Sequence, residues 1–242
     1  MWLAGPAPSL ADASYQVVLV DNRGAGASDA PPAPYTVADL AADTAGLIRQ
    51  LGLGPCRLVG FSLGGFVAEH LAAEHADLVR AVALLGSAGP PSAYGRLLVE
   101  AELEVASQGI ELPQRKHVAD LLGELLTPAQ LQHDALVEAW TARMLARPLW
   151  RNPGRHGQFA ADHAWNQEFQ ARHAARWARI SVPLLAVAFE QDSLFPPSSA
   201  RQLTQAVAGA ELVVIPEADH GGVLTHASEV GEVLLKFFAS PD

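Results

Sequence analysis

Apolar residues in this chain fall into two kinds of run. Short, almost continuously apolar and β-branched blocks occur at residues 16–20 (QVVLV), around Leu58-Val59, at 81–85, at 182–189 (VPLLAVAF) and at 211–215. Blocks of that length without polar alternation predict strands buried on both faces of a parallel sheet. Between them, apolar positions recur at helical spacing. Thr36 reads as an N-cap with Asp39 three residues on, opening a helix with apolar positions Val37, Leu40, Ala41, Ala45, Leu47, Ile48 and Leu51 that ends at Gly52 and Gly54. An alanine-rich helix starts near Phe66, and further helices are predicted at 197–208 and 228–238.

Residues from about 89 to 179 follow a different pattern. The segments 93–107, 116–126, 128–145 and 158–177 all carry helical periodicity, with Leu112-Pro113 and Arg151-Asn152-Pro153-Gly154 as punctuation and no strand between them. The alternation of strand and helix on either side predicts an α/β fold, a doubly wound, mostly parallel sheet with a helical cap inserted. The expected organisation is a first part of the core at 1–88, a helical cap at 89–179, and a second part of the core at 180–242. There is no internal repeat and no low-complexity linker.

Composition narrows the classes. Half of the 242 residues are apolar, enough for one sizeable core, and the net charge is −10. No basic patch is present to neutralise phosphate, so neither nucleic acid nor an anionic membrane is an expected partner. A small-molecule substrate fits better. The single cysteine, Cys56, can form no internal disulfide and reads as a small buried hydrophobe in a reducing compartment. No apolar run approaches transmembrane length, and residues 1–10 lack the charged and apolar regions of a secretory signal, so the expected location is cytoplasmic.

The chemistry centres on Gly60-Phe61-Ser62-Leu63-Gly64, set between an apolar strand and a helix. That context is the one in which G-x-S-x-G forms a nucleophile elbow: a sharp turn lifts the serine hydroxyl above the sheet, and the next backbone N–H, here Leu63, becomes an oxyanion donor. Gly60 and Gly64 are expected to flank Ser62 because a Cβ at either would collide across the tight turn. A serine needs a base, and the base an orienting carboxylate. Open α/β sheets place such groups beyond the carboxyl ends of their strands. Asp192 follows the strand at 182–189, and His220 follows the strand at 211–215. Glu190 and Asp219 are the rival acids, but the first lies too close to its strand and the second adjoins the histidine. His226 is the rival base, set where the last helix begins. His70 and His75 lie five apart on one helix and share no face, while His156, His163 and His173 fall among cap aromatics, so no metal site and no cofactor is expected. The order Ser, Asp, His distinguishes this arrangement from the other serine-protease orders.

Residues 15–88 and 180–240 resemble the α/β-hydrolase superfamily, in particular its small capped esterase, lactonase and perhydrolase-type branch. The resemblance rests on Asp21-x-Arg23-Gly24-x-Gly26-x-Ser28-Asp29, on Gly60-Phe61-Ser62-Leu63-Gly64-Gly65, on Val182-Pro183 leading to Asp192, and on Ile215-Pro216 leading to His220. It implies that Ser62, His220 and Asp192 are catalytic and that the loop from Asp21 to Asp29 is structural, with Arg23 bracing its neighbours. It also implies further strands and a His-Gly loop ahead of residue 16, the loop supplying a second oxyanion donor, and one of those strands lying between residues 16–20 and the strand at Arg57. Only fifteen residues precede Gln16 and none forms His-Gly, although Trp2 resembles a tryptophan that follows that motif in the family. The expectation is that the printed sequence begins just downstream of the loop.

The function expected is hydrolysis of a carboxylic ester, lactone or thioester through an acyl-enzyme on Ser62. A cap carrying Trp140, Trp150, Trp165, Trp177 and Met144 implies a largely apolar substrate portion, with Trp140 or Trp165 setting its length. Two alternatives remain open: a cofactor-free perhydrolase or haloperoxidase activity on the same three residues, and a weakly active or non-catalytic pocket protein. Epoxide and haloalkane hydrolysis would need a carboxylate where Ser62 stands.

Overall fold

A computed structural model describes residues 1–146 and 153–239; Trp150 and the punctuation at Arg151-Asn152 lie outside the described residues. Four strands form one parallel sheet in the order β1 (Cys56–Phe61), β2 (Val79–Leu85), β3 (Leu184–Phe189) and β4 (Glu211–Ile215). On one face lie α2 (Val37–Leu51), α3 (Leu63–Glu74) and α9 (Pro197–Ala206), and on the other lie α1 (Ala7–Asp12) and α11 (Ala227–Ala239). The alternation of side chains along each strand supplies both cores. Val82, Leu84, Leu184, Ala186 and Ala188 pack toward the first face, and Ala83, Leu85, Leu185, Val187, Phe189 and Ile215 toward the second. Burial on both faces is what a continuously apolar strand needs.

The expected helices form with small shifts. Thr36 caps α2 through its side chain and Asp39 returns the bond, a capping box, while Gly52 closes the helix in the left-handed conformation. Between β2 and β3 come α4 (Ala93–Ser107), α5 (Gln114–Leu125), α6 (Asp134–Ala146), α7 (Arg155–Gln167) and α8 (Phe169–Trp177). The segment expected as one helix at 158–177 is thus two. This insertion is itself divided. Trp165 and Trp177 join the main core, whereas α5 and α6 form a small cluster of their own around Val118, Leu122 and Leu126. A short helix, α10 (Gly222–Thr225), precedes α11.

Residues 16–20 do not form the expected strand. They make no backbone hydrogen bond to another described residue, and Val18, Leu19 and Val20 stay 44%, 43% and 40% exposed. Pairing decides this. β1 is the edge of the sheet, and a groove of about 650 Å³, lined by Val18 to Val20 and by Leu58 to Phe61, lies between it and the run. A strand-like sequence without an adjacent strand has nothing to complete its ladder. The loop that follows is braced as expected. Arg23 donates two 2.6 Å hydrogen bonds to Asp43 and sits over the Tyr35 ring, and Ser28 donates to the Asp21 carbonyl.

Candidate active site

β1 runs directly into the turn at Ser62, whose φ of 51° and ψ of −128° lie in a region L residues rarely occupy. The turn is held on both sides: Ser62 N–H donates to the Leu85 carbonyl at 3.1 Å, and Gly65 N–H donates to the Ser62 carbonyl at 2.7 Å. α3 begins at Leu63, so that residue's N–H belongs to the first turn, where no acceptor exists within the helix. One of the two glycines expected to flank the serine needs correction. A Cβ on Gly60 would lie 2.2 Å from the Gly64 carbonyl oxygen, as expected, but one on Gly64 would meet nothing within 4 Å. The second close approach belongs to Gly65, where a Cβ would lie 1.8 Å from Ser87 Oγ. Ser87 follows the end of β2, and the crowding it causes falls one residue later than the bare motif suggests.

The structure brings Ser62, His220 and Asp192 together. His220 Nε2 lies 3.2 Å from Ser62 Oγ, and Nδ1 lies 2.9 Å from Asp192 Oδ2. Asp192 is buried, and its other oxygen accepts the N–H groups of Leu194 and Phe195, both at 2.8 Å. With Asp192 as acceptor, Nδ1 carries a proton and the Nε2 lone pair faces the serine hydroxyl. The rivals are occupied elsewhere. Glu190 accepts the N–H of Glu217, which ties the acid loop to the histidine loop; Asp219 accepts the N–H of His220 itself; His226 pairs with Thr225. Cys56 is only half buried, and its thiol pKa is raised by burial.

The imidazole of His220 lies beside the Phe61 ring, 4.8 Å between centroids, and stacks against Phe195 at 6.0 Å. Burial alone would lower its pKa. The adjacent Asp192 charge and hydrogen bond, aided by Glu124 and Asp219, outweigh that effect, so the net shift is upward from the ordinary value of 6.5.

A cavity of about 360 Å³ lies beside the site, walled by Phe61, Leu98, Leu121, Trp140, Met144, Phe159 and Leu224 and reached by Glu124, Gly221 and Arg143. The tryptophans of the helices between β2 and β3 therefore divide. Trp140 lines this space, but Trp165 does not, contrary to its expected role. It stacks on Phe66 of α3 at 5.6 Å under the guanidinium of Arg176, and Trp177 Nε1 donates to buried Glu69 at 3.0 Å. Trp165 and Trp177 fasten α7 and α8 to the elbow helix.

Two carboxyls near the site carried no signal in the sequence. Burial pushes the Glu124 pKa to about 7, with Glu102 adding to it and His220 opposing. Burial likewise pushes Asp162 to about 7, opposed by His220 and by a 2.6 Å bond from Asn166. Each sits singly on a polar helix position, where nothing in the local pattern distinguishes it from a solvated residue. Among the described residues no cluster of three His, Cys, Asp or Glu side chains could hold a metal ion, and no helix is long and apolar enough to cross a membrane.

The profile of the family described as alpha/beta hydrolase fold matches residues 1–227. A Mycobacterium tuberculosis protein described as a non-heme bromoperoxidase is 29% identical over 239 residues, covering 99% of this chain and 88% of its own. Its crystal structure superposes with a TM-score of 0.89, covering 98% of this chain and 86% of that one. A pimeloyl-[acyl-carrier protein] methyl ester esterase of Neisseria meningitidis is 32% identical over 219 residues, 89% of this chain and 79% of that protein.

Proposed function

The chain belongs to the α/β-hydrolase family and is an enzyme of the hydrolase class, and on that footing we propose that it cleaves a carboxylic ester, lactone or thioester through a serine-bound acyl intermediate. The observation that carries the reading is the hydrogen-bonded line from Ser62 Oγ through the two nitrogens of His220 to Asp192. Ser62 attacks the carbonyl carbon while Nε2 of His220 takes its proton. The imidazolium then returns that proton to the departing alcohol, alkoxide end or thiol. Asp192 fixes the tautomer and stabilises the imidazolium. Leu63 N–H, at the positive end of α3, supports the oxyanion. Water then repeats the sequence to release the acid.

The helices between β2 and β3 act as the cap and select the substrate. The aliphatic and aromatic walls of the cavity favour a largely apolar portion, bounded in size by about 360 Å³. A fluorophosphonate probe tests the reading. The wild-type protein should label, Ser62→Ala should not, and His220→Ala should label far more slowly. Undiminished labelling of Ser62→Ala would mean that another residue is the nucleophile.

The relative described as a bromoperoxidase favours a second reading on the same residues. If hydrogen peroxide replaces water at the acyl-enzyme, the product is a peracid and Ser62 is regenerated. Peroxide-dependent bromination that requires an added carboxylate and disappears with Ser62→Ala would support it; none in the wild type would dismiss it.

A further inference from the structure

The carboxyl of Glu124 has no role in the hydrogen-bonded line, yet the fold places it at the reaction centre. Glu124 lies in the last turn of α5, and its neighbour Leu125 accepts the N–H of Gly221, the residue after His220, at 3.0 Å. The contact is close-packed, since a Cβ on Gly221 would come within 2.2 Å of that same carbonyl oxygen. α5 is thereby pinned to the histidine loop. Glu124, like Asp219, raises the pKa of the imidazole.

The other charges near Glu124 are satisfied or at the rim. Glu102 pairs with Arg155, Asp120 pairs with Lys116, Arg143 is exposed at the cavity edge, and Met1, His117 and Gln158, which also line the cavity, have partners of their own. Glu124 itself has no hydrogen bond or ion pair to any described residue, and it shares its cavity wall with Phe61, Leu121, Leu125, Trp140 and Leu224. An acid half enclosed by aliphatic and aromatic groups, with no hydrogen-bond partner among the described residues, loses its hydration when a ligand fills the cavity. Its oxygens reach solvent, so a ligand that displaces that water has to replace the hydrogen bonds it provides. We propose that Glu124 is the recognition point for a hydrogen-bond donor, a hydroxyl or an ammonium group, on the part of the substrate that the cap encloses. A purely alkyl ester would fill the walls and leave the carboxyl dry; one ending in a carboxylate would set like charge against it. The raised pKa of Glu124 agrees with the missing partner, and a bound donor would draw it back toward the ordinary carboxylate range. The inference takes its ligand class from the serine-hydrolase reading but makes a separate claim.

The test compares p-nitrophenyl heptanoate with its near-isosteric partners, the 6-hydroxyhexanoate and 6-aminohexanoate esters, together with 3-hydroxyheptanoate to sample depth. Wild-type kcat/KM should favour at least one donor ester over the alkyl ester by at least about tenfold, the scale of a hydrogen bond to a charged group. Glu124→Leu should erase or invert that ratio, mainly through KM. Glu124→Gln should keep part of a preference for hydroxyl, because its amide oxygen still accepts, and lose one for ammonium. The same ratios are then read as dissociation constants on Ser62→Ala protein, with and without Glu124→Leu, where no turnover is needed. A wild-type protein that favours no donor ester, or a ratio that survives Glu124→Leu in both formats, overturns the proposal. Failure of the wild type to label with fluorophosphonate, with the binding ratios still lost on Glu124→Leu, overturns the serine reading and supports this one.

Discussion

Ser62 occupies a backbone region that costs an L residue on the order of 1–3 kcal/mol, and the surrounding glycines are what make the turn possible. The geometry separates their contributions. Gly60 faces the backbone of Gly64 and Gly65, which cannot move aside without dismantling the elbow, whereas Gly64 faces open space. Gly60→Ala should therefore abolish fluorophosphonate labelling and lower the melting temperature. Gly64→Ala should stay folded within about 0.5 kcal/mol of wild type, because the added methyl meets no neighbouring atom. Equal damage from both would show that the elbow is not packed as described. His220 supplies a second residue-scale expectation. It is faced by the Ser62 hydroxyl, the rings of Phe61 and Phe195, and the carboxyls of Asp192, Asp219 and Glu124, with Asp162 also felt. Because its pKa is raised and the proposed mechanism needs a neutral base, the acid limb of kcat/KM should lie above 6.5. Glu124→Gln removes a negative neighbour, so the limb should move to lower pH; an upward shift or none would contradict the placement of Glu124.

At the scale of elements, the insertion is two structures with different jobs. α7 and α8 are fastened to α3 by Trp165, Trp177 and the buried Glu69, while α5 and α6, with their own small core, wall the cavity together with Leu98 of α4 and Phe159 from the other end of α7. Trp165→Ala empties a buried site and should cost about 3–5 kcal/mol of stability, the range for large aromatic truncations. It should leave the preferred acyl length unchanged. Trp140→Ala should do the reverse: little loss of stability, and a kcat/KM optimum displaced to longer chains in a p-nitrophenyl ester series, up to ~0.8 kcal/mol for each further methylene buried. If Trp165→Ala moves the optimum and Trp140→Ala does not, the division of the cap is wrong.

For the whole molecule, half-buried carboxyls couple folding to pH. Asp162 has a folded-state pKa of about 7 against an ordinary 3.8, so the folded chain holds its proton more tightly than the unfolded chain does. That proton's contribution is complete below about 3.8 and is lost as pH rises through about 7. Asp162→Asn removes the titration. Measured by urea unfolding, the wild type should lose stability relative to Asp162→Asn between pH 4 and 7, by on the order of 2–4 kcal/mol given the partial exposure of the side chain, and show no further relative change above pH 8. A difference that stays flat across that window would place Asp162 in water.

Much of this arrangement was legible in the chain itself. The capping box at Thr36 and Asp39, the strand and helix either side of Ser62, and the loops holding Asp192 and His220 are read from neighbours a few residues apart, because periodicity, capping and turn chemistry are short-range effects. Their order along the chain, combined with the rule that open parallel sheets gather their loops at one end, was enough to put three distant residues in one place. Tertiary structure alone decided the rest. Whether residues 16–20 become a strand depends on a neighbour for their backbone, not on their β-branched side chains. Gly65 rather than Gly64 is crowded because β2 delivers Ser87 to it, and Trp165 packs while Trp140 lines the cavity because α3 lies under one and open space under the other. Glu124 matters because Leu125 happens to meet Gly221 across 96 positions of sequence. Contacts of that kind are set by which segments the finished fold brings within a few ångströms, and no local pattern of hydrophobic and polar residues encodes them.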